Sequence, residues 1–263
     1  MMLNNKVAVI YGAAGSIGGA VARAFAREGA KVFLTGRLRA PVEAIAKDIV
    51  SAGGFAKAAE VDALDAQAVD RHLEAVIDKA GRVDVSFNAI GIPDKDVVGV
   101  PLIDLDLKQF SLPIMSYTMS YFLTARLAAR RMVANKSGVI MTVTALPARM
   151  GSRLNGGYGA AHAAKEALTR DLSAELAPHG IRVVGLRPHG MPDTSTMKEV
   201  YDAKAKTLGL TWEQFQGYLA GTTHPRRVMV LEEVANTAVF VASDRASGMT
   251  GTTVNLTMGN LDD

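Results

Sequence analysis

Tyr158, His162 and Lys165 lie close together in an alanine-rich segment that predicts a helix. A phenol with a pKa of ~10 exchanges protons poorly near neutrality unless a neighbouring group stabilises its phenolate. His162 follows Tyr158 by four residues, which places both side chains on one helix face. As imidazolium it would stabilise the phenolate, and as neutral imidazole it is itself an acid/base group. The pair predicts proton-transfer chemistry, with Lys165 on a neighbouring stripe of the same helix.

A glycine-rich turn from Gly12 to Gly18 directly follows a short apolar run. Glycine permits positive φ and lets the backbone approach a pyrophosphate closely. The helix expected after the turn presents free N–H groups and a positive dipole end to phosphates. The turn stands between a predicted strand and a predicted helix, which is the context that makes this pattern specific for a nicotinamide dinucleotide. The predicted phosphate-binding residues are Gly12, Gly15, Ser16, Ile17 and Gly18.

The end of the second predicted strand indicates which dinucleotide binds. A carboxylate at this place would bind both adenosine ribose hydroxyls and favour NAD, but the chain has Gly36 there. Arg37 follows, with Arg39 close by, and a guanidinium pairs well with a 2′-phosphate. The sequence therefore predicts NADP(H) as the cofactor in preference to NAD(H).

The composition excludes several other classes of protein. Of 263 residues, 49% are hydrophobic and the net charge is only +3, which does not indicate a nucleic-acid partner. The absence of cysteine excludes disulfides and thiolate catalysis, and five scattered histidines lack the spacing of metal ligands. No apolar stretch reaches the ~20 residues that span a bilayer, and no signal peptide is recognisable. We expect a cytoplasmic enzyme of small molecules with no membrane partner.

Short β-branched runs alternate with alanine-rich helical stretches along most of the chain. The predicted strands are Lys6–Tyr11, Lys31–Thr35, Phe55–Val61, Val83–Asn88, Val139–Thr144, Ile181–Leu186 and Thr252–Leu256. The predicted helices are Ile17–Glu28, Pro41–Ser51, Ala66–Ala80, Leu107–Val133, Tyr158–Ala177 and Leu231–Val241. Because this alternation requires parallel strands with crossover helices, it predicts a Rossmann-type, doubly wound α/β sheet with helices on both faces.

The alternation breaks over Pro192–Arg227, which has no strand signal. The segment carries four large aromatics, Tyr201, Trp212, Phe215 and Tyr218. We expect a small helical lid over the substrate cleft, although these aromatics are equally consistent with packing of the segment on the body. No linker or repeat is visible, so residues 1–263 are expected to form one dinucleotide-binding domain.

Further motifs occur in a fixed order along the chain. They include Val61-Asp62-Ala63, Asn88-Ala89-Ile90-Gly91, Tyr158 at a helix start, Glu175 to Val183, Ala242-Ser243-Asp244 and Thr250-Gly251. With the glycine turn, they resemble the short-chain dehydrogenase/reductase family over nearly the whole length. The resemblance implies additional cofactor-binding positions at Asp62, Ala63, Asn88, Ala89, Gly91, Tyr158, Pro188, Met191 and Thr194. It also implies a homodimer or homotetramer paired through the two long helices.

The resemblance also shows where this chain departs from the family's catalytic set. His162 stands at the position of the lysine that holds the nicotinamide ribose. Ala145 stands at the serine position, and a one-residue shift would bring the Thr144 hydroxyl into its place, unless Thr144 merely ends a strand. Tyr117 occupies the asparagine position, either to carry protons or bind substrate, or only to pack its helix. The enoyl-reductase branch has its tyrosine a turn earlier, where Asn155 lies here.

The loop after the sixth predicted strand carries one more departure. His189 stands where the family usually has glycine, and it either faces substrate or is an ordinary loop histidine. Three functions remain open at this point: an NADP(H)-dependent oxidoreductase of a carbonyl or alcohol, a cofactor-binding protein with little redox activity, and a non-redox acid/base enzyme. The first is favoured, with Tyr158, His162, Thr144 and Tyr117 as its candidate catalytic residues and no metal.

Overall fold

The computed structural model describes residues 1–92, 97–192, 194, 198–199, 202, 205, 207 and 209–262. Its strands form one seven-stranded parallel sheet in the order β3-β2-β1-β4-β5-β6-β7. The strands are β1 (Val7–Tyr11), β2 (Lys31–Gly36), β3 (Phe55–Glu60), β4 (Val85–Asn88), β5 (Gly138–Val143), β6 (Ile181–Pro188) and β7 (Thr252–Leu256). Mostly apolar runs form the central strands β1, β4 and β5, which are buried along their whole length because both faces of the sheet are covered there.

Helices cover both faces of the sheet. They are α1 (Ser16–Arg27), α2 (Arg39–Ser51), α3 (Ala66–Ala80), α4 (Leu107–Pro113), α5 (Met119–Asn135), α6 (Tyr158–Leu176), α7 (Trp212–Thr222) and α8 (Leu231–Ala242). Successive side chains of a strand point to opposite faces. In β1, Ile10 therefore packs in the layer of α1, α2 and α8, and Tyr11 packs in the layer of α3, α5 and α6. This arrangement confirms the predicted doubly wound α/β fold.

The predicted helical stretch Leu107–Val133 is helical in the structure, but it is not one regular α-helix. Pro113 ends α4, and residues Ile114–Thr118 form a π-helical turn before α5 begins. Proline has no N–H to donate to the carbonyl four residues earlier, so the regular ladder is interrupted at this point. The wider π turn carries Tyr117, and π turns of this kind are frequent at functional sites.

The segment predicted as a lid contains α7. Thr211 caps this helix: its hydroxyl accepts from the Gln214 backbone N–H at 3.2 Å, and its own N–H donates to the Gln214 side chain at 2.9 Å. Phe215 is buried in a small apolar cluster with Leu210, Trp212 and Leu219. Tyr201, the fourth aromatic of the segment, lies outside the described residues.

The strand order places β1 beside β4, so the chain reverses its direction of winding between these two strands. In open parallel sheets the loops diverge at such a point and leave a crevice at the carboxyl ends of the strands. The loops that follow β1, β4, β5 and β6 all meet at this edge. The fold therefore brings the glycine turn and the start of α6 to the same place.

Candidate functional site

A large cleft of about 1060 Å³ lies at the carboxyl edge of the sheet. It is lined by most of the residues that the sequence predicted for cofactor binding and by all four candidate catalytic residues. The lining residues among them are Gly12, Gly15, Ser16, Ile17, Arg37, Asp62, Ala63, Ala89, Gly91, Tyr117, Thr144, Tyr158, His162, Pro188, Met191 and Thr194. Gly18 and Asn88 do not line the cleft, and both have structural contacts instead.

The glycine turn forms a cradle that side chains would fill. Gly12 has φ +77°, and a Cβ there would lie 2.5 Å from the carbonyl oxygen of Ala89. A Cβ on Gly18 would collide with the carbonyl oxygen of Gly12, so this glycine lets α1 pack against the turn. The helix begins at Ser16, where backbone N–H groups of its first turn are oriented toward the cleft. This cradle fits a pyrophosphate bound at a helix N-terminus.

Asn88 lies under the cleft and ties two elements together. Its side chain is 1% exposed, and its amide donates to the Thr124 hydroxyl of α5 at 3.1 Å. Its backbone carbonyl accepts from the Thr142 hydroxyl of β5 at 3.3 Å. In this structure Asn88 therefore supports the cleft from beneath, at the end of β4.

The end of β2 leaves one arginine available to a ligand. A Cβ on Gly36 would lie 2.8 Å from a methyl group of Val42, so packing against α2 accounts for the glycine at this position. Arg37 is exposed and lines the cleft, and it has no ion pair with any residue of the described part of the chain. Arg39 donates to Glu43 at 2.6 Å, so the second arginine is already paired.

Three aromatic rings pack together at the other end of the cleft. The His162 ring lies 4.3 Å from the Tyr158 ring and 4.9 Å from the Tyr117 ring, centroid to centroid. The two tyrosines meet edge to face at 5.7 Å. The phenol oxygen of Tyr117 also accepts from the backbone N–H of Ile92 at 3.3 Å, which fixes it to the loop after β4. The i, i+4 spacing and the π turn together assemble this group.

His162 is buried and carries no charge. Its side chain is 3% exposed, and within the described residues neither ring nitrogen has a hydrogen-bond partner. Burial holds the pKa of His162 well below its ordinary value, and the nearby charge of Lys165 lowers it further. A neutral imidazole keeps one donor and one acceptor nitrogen. His162 is therefore suited to hydrogen bonding and to proton transfer, but not to fixed positive charge.

Lys165 does not line the cleft. It is 1% exposed, and its ammonium donates to the backbone carbonyl of Val143 at 2.6 Å. The nitrogen lies 5.7 Å from the ring centroids of both Tyr117 and Tyr121, at cation–π distance. Burial lowers the pKa of Lys165 to about 7. Lys165 therefore contacts the two tyrosine rings from outside the cleft.

The depressed pKa of Lys165 predicts a dependence of stability on pH. The amine is neutral above about pH 7 in the folded chain, whereas the unfolded chain stays protonated to about pH 10. Between these values the unfolded state binds more protons, so this residue makes stability rise with pH. Urea unfolding at pH 7, 8.5 and 10 measures this effect. The free energy of unfolding of wild type should rise with pH relative to that of Lys165→Met, by up to about 1.4 kcal/mol per pH unit. Parallel pH profiles of the two proteins would contradict the assignment.

Thr144 belongs to a buried ion-pair network. Its hydroxyl donates to Glu166 at 2.9 Å, and Arg187 binds both oxygens of the same carboxylate at 2.8 Å each. Glu166 and Arg187 are each 3% exposed. The network joins α6 to the ends of β5 and β6 directly under the cleft. The Thr144 hydroxyl donates its hydrogen to Glu166, so it is not available to a substrate carbonyl. This contact does not favour the predicted role of Thr144 in orienting the substrate.

His189 connects α7 to the carboxyl-terminal segment. Its Nε2 lies 3.2 Å from the Thr222 hydroxyl of α7 and 3.2 Å from the Asn260 side-chain amide. Its Nδ1 lies 3.3 Å from the Gly190 carbonyl, which sets the ring as an Nδ1–H donor and an Nε2 acceptor. Burial lowers the pKa of His189. All three residues line the cleft, so this hydrogen-bonded group forms part of its wall.

Glu166 and Asn260 were not identified as site residues from the sequence, and Lys165 was placed only on a neighbouring stripe of the Tyr158 helix. Each acts through a contact with a residue distant in the sequence, and no local pattern signals such a contact. The one available signal was the occurrence of charged residues within the buried face of α6. Among the described residues, no cluster of three or more potential metal ligands is present, and no helix is both long and apolar enough to cross a membrane.

Comparison with known proteins places this geometry in context. A family model described as Enoyl-(Acyl carrier protein) reductase matches residues 12–260. An uncharacterized oxidoreductase of Bacillus subtilis, YxbG, is 30% identical over 95% of this chain and 88% of its own. Enoyl-[acyl-carrier-protein] reductase [NADH] 1 of Rhizobium meliloti is 31% identical over 95% and 88%.

A solved structure agrees with these matches. A 7α-hydroxysteroid dehydrogenase in complex with NADH and 7-oxo glycochenodeoxycholic acid superposes with a TM-score of 0.86 and 27% identity, covering 99% of this chain and 96% of that one. The parallel sheet, the glycine cradle and the tyrosine at the start of α6 are found together with these sequence matches. The chain therefore belongs to the short-chain dehydrogenase/reductase family.

Proposed function

We propose that this chain is an NADP(H)-dependent oxidoreductase that interconverts a carbonyl compound and its alcohol, with Tyr158 as the proton donor and acceptor. The observation that carries the proposal is the packing of Tyr158 against the neutral, buried His162 in the cleft that also holds the glycine cradle. Enoyl reduction is less favoured, since Asn155 occupies the position of that branch's tyrosine.

The reaction divides between the cofactor and the residues of this chain. The nicotinamide supplies or accepts the hydride when it is bound. In the reductive direction Tyr158 gives its phenolic proton to the substrate oxygen, and in the oxidative direction it takes the proton back. This proposal requires the His162 ring to turn so that its N–H bonds the phenolate, because within the described residues neither ring nitrogen has a hydrogen-bond partner. Thr144 contributes only through Glu166, and Tyr117 lines the site as a second phenol.

The experiment that tests this function measures binding and turnover separately. We expect NADPH to bind more tightly than NADH in a fluorescence titration. A panel of ketones and aldehydes should then include compounds that consume NADPH, followed by the loss of nicotinamide absorbance. Tight NADPH binding without consumption by any carbonyl would instead favour a cofactor-binding protein with little redox activity.

Selection of NADP(H) is proposed to rest on Arg37, which lines the cleft without an ion-pair partner in the described chain. Arg37→Ala should weaken NADPH binding about tenfold, the loss of one charge-assisted hydrogen bond, and leave NADH binding nearly unchanged. Fluorescence titration of both cofactors measures this difference. Arg39→Ala is the matched control, because Arg39 is paired with Glu43. An unchanged preference in Arg37→Ala would reject the assignment.

A homodimer or homotetramer is also proposed. Four apolar side chains at helical spacing, Leu112, Met115, Met119 and Phe122, are between 37% and 56% exposed on α4, the π turn and α5. A continuous apolar stripe of this kind is typical of a protein–protein contact. It lies on one of the two long helical segments that the family resemblance implicates in subunit pairing.

A further inference from the structure

The part of the cleft beyond Tyr158 and His162 has a strongly apolar wall. Three segments build it: the loop after β4, the loop after β5 and the lid helix region. The residues that form the wall are Val98, Leu146, Met150, Leu210, Phe215 and Leu219. Phe215 is 4% and Val98 is 5% exposed, so both are buried members of the wall.

The cationic side chains nearest to this wall are already engaged. Lys165 is buried and donates to the Val143 carbonyl. Arg187 binds Glu166 through two hydrogen bonds. His162 is neutral because of its burial. Among the described lining residues beyond the cofactor-binding part of the cleft, the charged ones are Arg153 and Glu199, and both are exposed at the rim.

This distribution of charge determines what the wall can bind. A carboxylate or phosphate transferred from water to an apolar wall loses its hydration and gains no buried partner there. An uncharged hydrocarbon skeleton instead gains free energy from the apolar surface that is removed from water. A few polar groups next to a mostly apolar pocket are the usual means of orienting such a ligand.

We propose that the substrate is an uncharged, largely apolar carbonyl compound or alcohol, with an alicyclic or aromatic body packed against Phe215 and Leu219. This inference rests on the proposed function, because it takes the oxygen of that compound as the partner of Tyr158. It adds that sugar phosphates and carboxylate substrates are selected against by this wall.

Trp212, the only tryptophan of the chain, reports on binding without turnover, because it lies in the cluster with Phe215. The probes are 4-tert-butylcyclohexanone and 4-oxocyclohexanecarboxylate, which share a cyclohexanone ring and differ in charge. Each probe is titrated into the full chain in the presence of saturating NADP⁺, and in parallel with NAD⁺. The oxidised cofactor has no hydride to donate, so the ketone binds without being reduced. Tryptophan fluorescence and the shift in melting temperature are recorded. The neutral ketone should bind at least tenfold more tightly than the carboxylate.

Two lysine variants sharpen the test. Leu219→Lys places a cation on the wall. It should weaken the binding of the neutral ketone and strengthen the binding of the carboxylate. Gly221→Lys is the matched control: it is exposed, it does not line the cleft, and a Cβ there meets nothing within 4 Å. It should bind both probes as wild type does.

Equal or tighter binding of the carboxylate by wild type overturns the inference. So does the lack of any response to the neutral ketone by both fluorescence and melting temperature. These wild-type results stand even if Leu219→Lys does not fold. Selective binding of the neutral ketone that is never followed by NADPH consumption supports the inference and contradicts the proposed function, so the two failures are distinguishable.

Discussion

Tyr158→Phe is expected to lower kcat/KM by about 10²- to 10⁴-fold, the usual contribution of a positioned general acid. Phenylalanine keeps the ring that packs 4.3 Å from His162 and 5.7 Å from Tyr117, so the cleft should keep its shape. Only the phenolic hydroxyl group is lost. Tyr158 is also among the positions that the family resemblance implies for cofactor binding, so the dissociation constant of NADPH should rise by no more than about tenfold, the loss of one hydrogen bond. A loss of kcat/KM far larger than this rise separates a catalytic defect from a structural one.

The measurement is a steady-state comparison on a carbonyl substrate found in the screen, together with a NADPH titration of the same preparation. Tyr121→Phe is the matched control, because Tyr121 is fully buried, bonds the Thr169 hydroxyl at 3.0 Å and does not line the cleft. It should retain nearly full activity. If Tyr158→Phe also retained most of the activity, the proton would have to come from another group, with Tyr117 the next candidate.

Glu166→Gln should lower the free energy of unfolding by about 3–5 kcal/mol, the usual cost of breaking a buried ion pair. The substitution keeps the shape of the side chain but removes the charge that Arg187 binds through both carboxylate oxygens. Because Arg187 is 3% exposed, water does not readily replace the lost partner. The hydrogen bond from Thr144 is weakened in the same step.

Urea denaturation at fixed protein concentration measures this loss. Glu43→Gln is the control, since it breaks an exposed pair with Arg39 and should leave stability nearly unchanged. The double variant Glu166→Leu with Arg187→Met removes both charges and should recover most of the lost stability. If Glu166→Gln were as mild as Glu43→Gln, the buried pair would not be a major contributor to the stability of this edge of the sheet.

The sequence by itself determined the sheet, the glycine cradle and the location of the tyrosine–histidine pair. These features depend on local patterns: apolar periodicity, glycine where the backbone turns sharply, and a spacing of four residues on one helix. The parallel alternation also required that the glycine turn and the start of α6 meet at one edge. For this reason the sequence alone predicted Gly12, Arg37, Tyr158 and His162 as candidate site residues, and all four line the cleft.

Only the tertiary structure decided which residues contact the candidate catalytic side chains. Lys165 lies behind the aromatic group because α6 packs on the π turn and on β5, and Thr144 donates to Glu166, 22 residues away. His189 reaches Thr222 and Asn260 across 33 and 71 residues. Such contacts depend on how three or more elements dock, and desolvation then sets the charge of His162 and Lys165. A linear pattern contains neither the docking nor the burial, so the protonation states at this site follow from the fold alone.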